Sequence, residues 1–458
     1  MEDMKNGKRS SFSGKLGYVL AAAGASVGLG NIWRFPYLAA KYGGGIFLII
    51  YIVLALTFGY TMIVAETAIG RMTRKSPVGA FKSFGKKKWL SFGGWINAVI
   101  PVLIVPYYSV IGGWGIKYLV EYFRGNAKQL AEDGYFTDFI SNGVSTELCF
   151  MAFCAFTLII IFAGVQNGIE RVSKIMMPIL IVLSVIIAVY SVTRPGALAG
   201  VKYFLVPNVK NFSWMTVVSA MGQMFYSLSI AMGILITFGS YMKKDTAIED
   251  STRNVEVFDT GIAIMAGLMI IPAVFAFSGG DPNTLQAGPS LMFITIPKVF
   301  QNMGFGTVIG IVFFLLVLFA AVTSSIALTE SAVSTFEDEL GWGRKKATVL
   351  VGVIMLALGS LSSLGYGPLA GIKIIGMQFL DLFDFLTNSV MMPIAALLTS
   401  LLVSRVVGID KIEDEIIHGE SAFRRKKVFV VMIKYLCPVF AIIILLSSVA
   451  NALGWIKM

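Results

Sequence analysis

The sequence predicts an all-α integral membrane protein: two five-helix repeats inserted with opposite orientation, broken first and sixth helices, and one further helix near the C-terminal end. Three observations carry this expectation. The composition is too apolar for a soluble core, about eleven stretches are long enough to cross a bilayer, and two of them, five apart, are interrupted by small residues at their centres.

Of 458 residues, 56% are hydrophobic and 14% charged, and the mean hydropathy is +0.79. So much apolar surface needs lipid as its solvent. No soluble domain stands out, so residues 1–458 are expected to form a single domain, with repeats over 10–195 and 212–404 and the additional helix over 427–450. Residues 1–15 are polar and basic, with no small-residue cleavage site before a short apolar core, and read as a cytoplasmic tail rather than a removable signal peptide. Cys149, Cys154 and Cys437 fall in apolar spans and read as packing residues, not as a disulfide framework or a metal site.

In order, the spans lie near 16–37, 45–70, 89–123, 148–163, 172–192, 214–241, 255–277, 306–336, 347–361, 379–403 and 428–449. The loop after the second carries Arg71, Arg74, Lys75, Lys82 and Lys86 to Lys88 with no acid, and Arg344 to Lys346 and Arg424 to Lys427 lie in loops of the same parity. The positive-inside rule puts these loops and the N-terminus in the cytoplasm of a multi-pass protein of the inner cell membrane, and an odd number of spans puts the C-terminus outside. These loops account for the net charge of +11, so no nucleic-acid partner is expected.

The first span reads LGYVLAAAGASVGLGNIWRFP, with Gly24, Gly28 and Gly30 at its middle; the sixth reads GQMFYSLSIAMGILITFGSY, with Ser227, Ser229 and Gly233 at its middle. Both are expected to unwind there, leaving backbone groups free to form a midplane binding site. Close helix packing is the alternative reading of Gly24 and Gly28. Asn31 and Arg34 follow at once, and polar groups at that depth demand partners.

GASVGLGNIWRFPYLAAKYGGGIF closely resembles the first-helix signature of the neurotransmitter:sodium symporters, the family typified by the bacterial leucine transporter. Further matches are AETAIGR at Ala65 to Arg71, PYYS at Pro106 to Ser109, FYSLSIAMG at Phe225 to Gly233, TSSIAL at Thr323 to Leu328, FEDEL at Phe336 to Leu340, and Asp384. The resemblance covers nearly the whole chain and implies the leucine-transporter-like fold and a sodium-coupled symporter. Eleven spans, not twelve, resemble the shorter bacterial members, which include multi-hydrophobic amino acid transporters.

By position, the resemblance assigns a first sodium site to the Ser26 carbonyl, the Asn31 side-chain oxygen, Ser227 and Asp259, with the substrate carboxylate. It assigns a second to the carbonyls of Gly24, Val27 and Ala320 and the hydroxyls of Thr323 and Ser324. Sodium is a hard cation that takes about six oxygens, which unwound carbonyls and hydroxyls supply. The alternative for both hydroxyls is back-bonding within their own helix. Asp259 stands where the family usually has the sodium-site asparagine, and Ala263 lies one turn later where some relatives keep a glutamate. A carboxylate at that depth costs roughly 2.5 to 3.5 kcal/mol and needs a cation or a proton, so Asp259 is expected to serve as ligand and as the fixed anion that removes a chloride requirement.

For the substrate, half-helix N-termini and the Tyr108 hydroxyl suit a carboxylate, and exposed carbonyls suit an ammonium group. An α-amino acid has both. Resembling monoamine carriers place an aspartate close to where Gly24 and Ala25 stand here, so an amine without a carboxylate lacks a counter-charge. The expected substrate set is Ala25, Ser26, Leu29, Gly30, Ile104, Tyr108, Tyr226, Ser227, Ser229, Ile230, Met232, Ser324 and Leu328, of which Leu29, Ile104, Tyr226, Ile230, Met232 and Leu328 line an apolar pocket for aliphatic or aromatic side chains. Ordinary packing is the alternative for such a stripe.

Two pairs resemble gates: Arg34 with Asp384 outside, and Arg9 with Asp338 inside, each formed when its side is shut. Arg9 also reads as a positive-inside anchor. Phe12 replaces the tryptophan usual at the inner gate and is expected to loosen that seal. Gly168 and Pro178 weaken the fifth span, whose cytoplasmic end is expected to unwind. Rival readings are a proton-coupled amino-acid carrier of the same fold, a non-transporting amino-acid sensor, an ion channel and an enzyme. Nothing resembles a selectivity filter, and the one histidine, His418, sits in a charged loop.

Overall fold

Backbone amides in lipid must find partners within the protein, and this chain satisfies them with helices almost throughout. The computed structural model describes residues 9–279, 288–452 and 455, and among these the only strand-like pairings are the isolated bridges Gly44–Pro207 and Ile374–Met377. The expected N-terminal tail is thus described only from residue 9, and the C-terminal residue lies outside the described part.

Among the described residues, nine helices are long and apolar enough to cross a membrane, and one bent pair makes a tenth. The bent pair is α1 (Lys15–Ser26) and α2 (Gly30–Lys41), inclined by 53°. Then come α3 (Gly45–Thr73), α4 (Lys88–Phe123), α5 (Gly143–Phe162) and α6 (Val165–Val192). The expected sixth span arrives as α7 (Trp214–Ser227) and α8 (Ile234–Tyr241), each too short to cross alone, with turns over 228–233 between them. The chain continues with α9 (Ile248–Ser278), α10 (Gly306–Leu340), α11 (Arg344–Leu364), α12 (Phe379–Val407) and α13 (Lys426–Ala452).

Several helices start earlier than hydropathy indicates. α5, α6 and α9 begin at Gly143, Val165 and Ile248 rather than 148, 172 and 255, because polar first turns keep their hydrogen bonds without an apolar signal. Asp259 therefore lies about three turns inside α9 rather than near its start.

The most apolar stretches of α4 and α10 are 78% and 72% buried, against 33% in α13. The first two are the centre of the bundle, and α13 faces mostly lipid. α1 is buried from Gly17 to Ser26 and packs on α6, α9 and α10, so its break faces the middle of the protein. The three cysteines are free, and His418 is exposed with Nδ1 2.6 Å from the Asp414 carbonyl oxygen.

Candidate substrate and ion site

The two breaks are held by different means. In the first, Gly28 leaves room for the hydroxyls of Ser324 and Tyr108, and a Cβ on Gly30 would collide with the Tyr226 ring. In the second, Ser229, Ala231 and Gly233 take φ of 52°, 58° and 71°. Left-handed backbone costs an L-residue roughly 1 to 2 kcal/mol, so the helix cannot run through. Side chains hold it there: the Ser229 hydroxyl donates to the Ala25 carbonyl at 2.9 Å, and the Ala231 N–H donates to Glu66 Oε1 at 2.7 Å. Glu66 is fully buried with its other oxygen unpartnered. Sequence reasoning quoted Glu66 within AETAIGR but gave it no role; its only signal was a carboxylate amid an apolar helix.

Asp259 is fully buried and accepts three side-chain donors. Asn31 Nδ2 lies at 2.8 Å and the Ser227 hydroxyl at 2.8 Å from Oδ1, and the Tyr51 hydroxyl lies 2.9 Å from Oδ2. The Asn31 oxygen is turned instead to the Gly28 N–H at 3.4 Å. Gln223 donates to the Gly30 carbonyl at 3.1 Å, and the buried Ser26 hydroxyl has no partner. No cluster of three or more His, Cys, Asp or Glu that could hold a metal occurs among the described residues. A cation here would depend on carbonyls, hydroxyls and one carboxylate, a donor set that suits a hard monovalent ion.

On the facing side of α1, the Ser324 hydroxyl donates to the carbonyls of Gly24 at 3.2 Å and Ala25 at 3.1 Å. Thr323 bonds within α10, to Phe319 and Ala320 at 3.0 and 3.2 Å. The two readings of this hydroxyl pair therefore divide: Ser324 reaches across to the break, while Thr323 back-bonds, its Cβ against Gly24.

Between these groups lies a cavity of about 30 Å³ lined by Ala25, Ser26, Gly28, Leu29, Gly30, Asn31, Ile104, Tyr108, Tyr226, Ser229, Met232, Ser324 and Leu328. Its polar end holds the Tyr108 hydroxyl, which accepts the Leu29 N–H at 3.2 Å. That volume fits about two waters, so an amino-acid-sized occupant requires the walls to move apart. Of the expected set, Ile230 and Ser227 are not in the lining: Ile230 is fully buried, and Ser227 turns to Asp259. Gly28 and Asn31 line the cavity in their place.

The two expected gates differ. Arg9 forms an ion pair with Asp338, and also donates to Ser334 at 2.8 Å and Ser240 at 3.1 Å. No ion pair joins Arg34 to Asp384 among the described residues. Arg34 lies over the Tyr226 ring at 5.3 Å, and Asp384 accepts from Asn388 at 2.5 Å and Tyr107 at 3.2 Å; Arg34 and Asp384 both line a second cavity of about 50 Å³. Phe12 is 1% exposed and meets Tyr18, Phe238 and Tyr241 edge-on. The fifth span is wound here from Val165 to Val192, its first turns wide, as a π-helix over Val165–Glu170.

The family model for the sodium:neurotransmitter symporter family matches residues 9–132 and 120–455. The sodium-dependent transporter YhdH of Bacillus subtilis is 34% identical over 450 residues, covering 97% of this chain and 99% of that protein. The sodium-dependent transporter MJ1319 of Methanocaldococcus jannaschii is 31% identical over 428 residues, covering 89% and 84%. The crystal structure of MhsT in complex with L-phenylalanine superposes with a TM-score of 0.86 at 34% identity, over 96% of this chain and all of that one. Broken helices five spans apart, converging on backbone carbonyls and side-chain hydroxyls, define with these likenesses a sodium-dependent membrane symporter built on an inverted repeat. The chain belongs to the sodium:neurotransmitter symporter family.

Proposed function

We propose that this symporter imports hydrophobic L-amino acids, aliphatic and aromatic, by alternating access, driven by sodium and without chloride. The two-faced cavity carries this reading: the Tyr108 hydroxyl and the broken-helix backbone at one end, Ile104, Met232 and Leu328 at the other. The likeness to MhsT, a protein held with L-phenylalanine, supports it.

In this reading the substrate carboxylate meets Tyr108 and the N–H groups of Leu29 and Gly30, its ammonium meets the carbonyl of Ala25 and the hydroxyls of Ser26 and Ser229, and Tyr226 closes over the side chain. One sodium sits among Ser26, Asn31, Ser227, Asp259 and the substrate carboxylate. Asn31 must then turn its oxygen from Gly28 toward the ion. A second sits among Gly24, Val27, Ala320, Thr323 and Ser324, with Thr323 giving up its back-bond. Asp259 supplies a negative charge that offsets part of the charge of the two ions. The repeats span 10–195 and 212–404, the extra helix 427–450, and the N-terminus lies in the cytoplasm of a cell-membrane protein, with the C-terminus outside.

Uptake into proteoliposomes from a panel of labelled amino acids, under a sodium gradient alone, tests this reading. Uptake that needs a proton gradient would replace it with the proton-coupled carrier, and binding without counterflow would make the protein a sensor.

A further inference from the structure

One end of α4 carries cations that the bundle leaves without partners. Lys86, Lys87 and Lys88 are exposed, and none has an ion pair or a side-chain hydrogen bond among the described residues. No acidic residue lies between Glu66 and Glu121 to offset them along the chain. The turn they stand on is held in place, because the preceding loop is fastened to α10: the Ser76 N–H donates to Asp338 at 2.7 Å, and Lys82 pairs with Glu339 at 2.7 Å.

The cations lead directly into an exposed aromatic stripe. Lys88, Phe92 and Trp95 stand at i, i+4 and i+7, which puts them on one face of α4. Phe92 is 56% and Trp95 40% exposed, and Lys82 Nζ lies 5.8 Å from the centre of the Trp95 ring. The opposite face is committed to the protein: a Cβ on Gly93 would run into Phe81, and one on Gly94 into Val78, so α4 cannot turn to bury the stripe.

Three lysines and two aromatics thus follow one another along roughly 10 Å of helix. That order matches the passage from headgroup phosphates to the first acyl carbons of a bilayer, where lysine and tryptophan concentrate. A soluble anion would meet the lysines alone and leave Phe92 and Trp95 uncovered.

We infer that Lys86, Lys87 and Lys88 bind the phosphate of an anionic phospholipid whose acyl chains lie along Phe92 and Trp95. This site lies apart from the substrate cavity and stands whether or not the substrate reading does.

Native mass spectrometry of the whole protein, purified free of lipid and titrated with phosphatidylglycerol or phosphatidylcholine, tests it. Phosphatidylglycerol should form a retained adduct, and phosphatidylcholine a much weaker one. Changing Lys86, Lys87 and Lys88 together to glutamine should weaken the phosphatidylglycerol adduct by about 100-fold. Phe92→Ser with Trp95→Ser, which keeps every charge, should weaken it by about tenfold. Lys345→Gln with Lys346→Gln removes two exposed cations from another loop and should leave it unchanged. Millimolar glycerol phosphate, the headgroup without its chains, should not displace the lipid. The melting temperature of each variant in phosphatidylcholine shows that it is folded. Unchanged binding in the triple lysine variant, an equal loss in the Lys345, Lys346 variant, equal retention of phosphatidylcholine, or displacement by glycerol phosphate overturns the inference.

Discussion

Asn31 and Asp259 meet through a hydrogen bond of 2.8 Å between the broken first span and α9. It links the break in the first span to the fully buried carboxylate that the proposed function assigns to a sodium ion. Tyr51 and Ser227 donate to the same carboxylate, so three side chains hold Asp259 in place beside the break.

The first prediction follows from that charge. Two sodium ions and a zwitterion bring two positive charges into a low-dielectric centre, and Asp259 offsets part of them. Uptake should persist when gluconate replaces chloride. Asp259→Asn or Asp259→Ser should lose uptake or become chloride-dependent, because Tyr51 and Ser227, which donate to the carboxylate, are left to face an exchangeable anion. Normal, chloride-independent uptake in Asp259→Asn would reduce the carboxylate to a structural partner.

Sodium dependence gives the second. Thr323→Ala with Ser324→Ala removes two oxygens from a site with few to spare, and the sodium concentration for half-maximal uptake should rise by about 100-fold or uptake should vanish. Ser324→Ala alone should cost more than Thr323→Ala, since Ser324 already reaches Gly24 and Ala25 while Thr323 bonds within its helix. The reverse ranking would contradict the proposed second site.

Side-chain choice gives the third. Leucine, tyrosine and tryptophan should all compete for uptake, with the unbranched Met232 yielding to the larger ones, whereas aspartate and lysine should not, because the apolar end offers no partner for a charge. Strong competition by lysine would show that another surface lines the pocket.

The fourth concerns Gly30, against which the Tyr226 ring is packed. Gly30→Ala should push that ring outward and weaken closure over the substrate, raising KM by about tenfold while the melting temperature moves little. A variant with unchanged KM would mean that Tyr226 does not close the site.

Much of this was readable along the chain. Gly24, Gly28 and Gly30 marked the first break because clustered glycines within an apolar span weaken a helix locally. The second break was marked by Ser227, Ser229 and Gly233, but its backbone was not legible. Ala231 takes a left-handed conformation, with its N–H given to Glu66, far away in sequence. Ile230, which the resemblance places in the pocket, is fully buried and absent from the cavity lining.

The sequence by itself determined the solvent, the spans and the places where two of them break. Those properties follow from apolar content and local backbone preference, which short stretches carry on their own. Only the tertiary structure decided which distant groups meet. It pairs Arg9 with Asp338 and leaves Arg34 over Tyr226, apart from Asp384. Both pairs have complementary charges, so sequence cannot tell a made gate from an unmade one; the distance between their helices does, and that distance is set by how the whole bundle packs around α1 and α8.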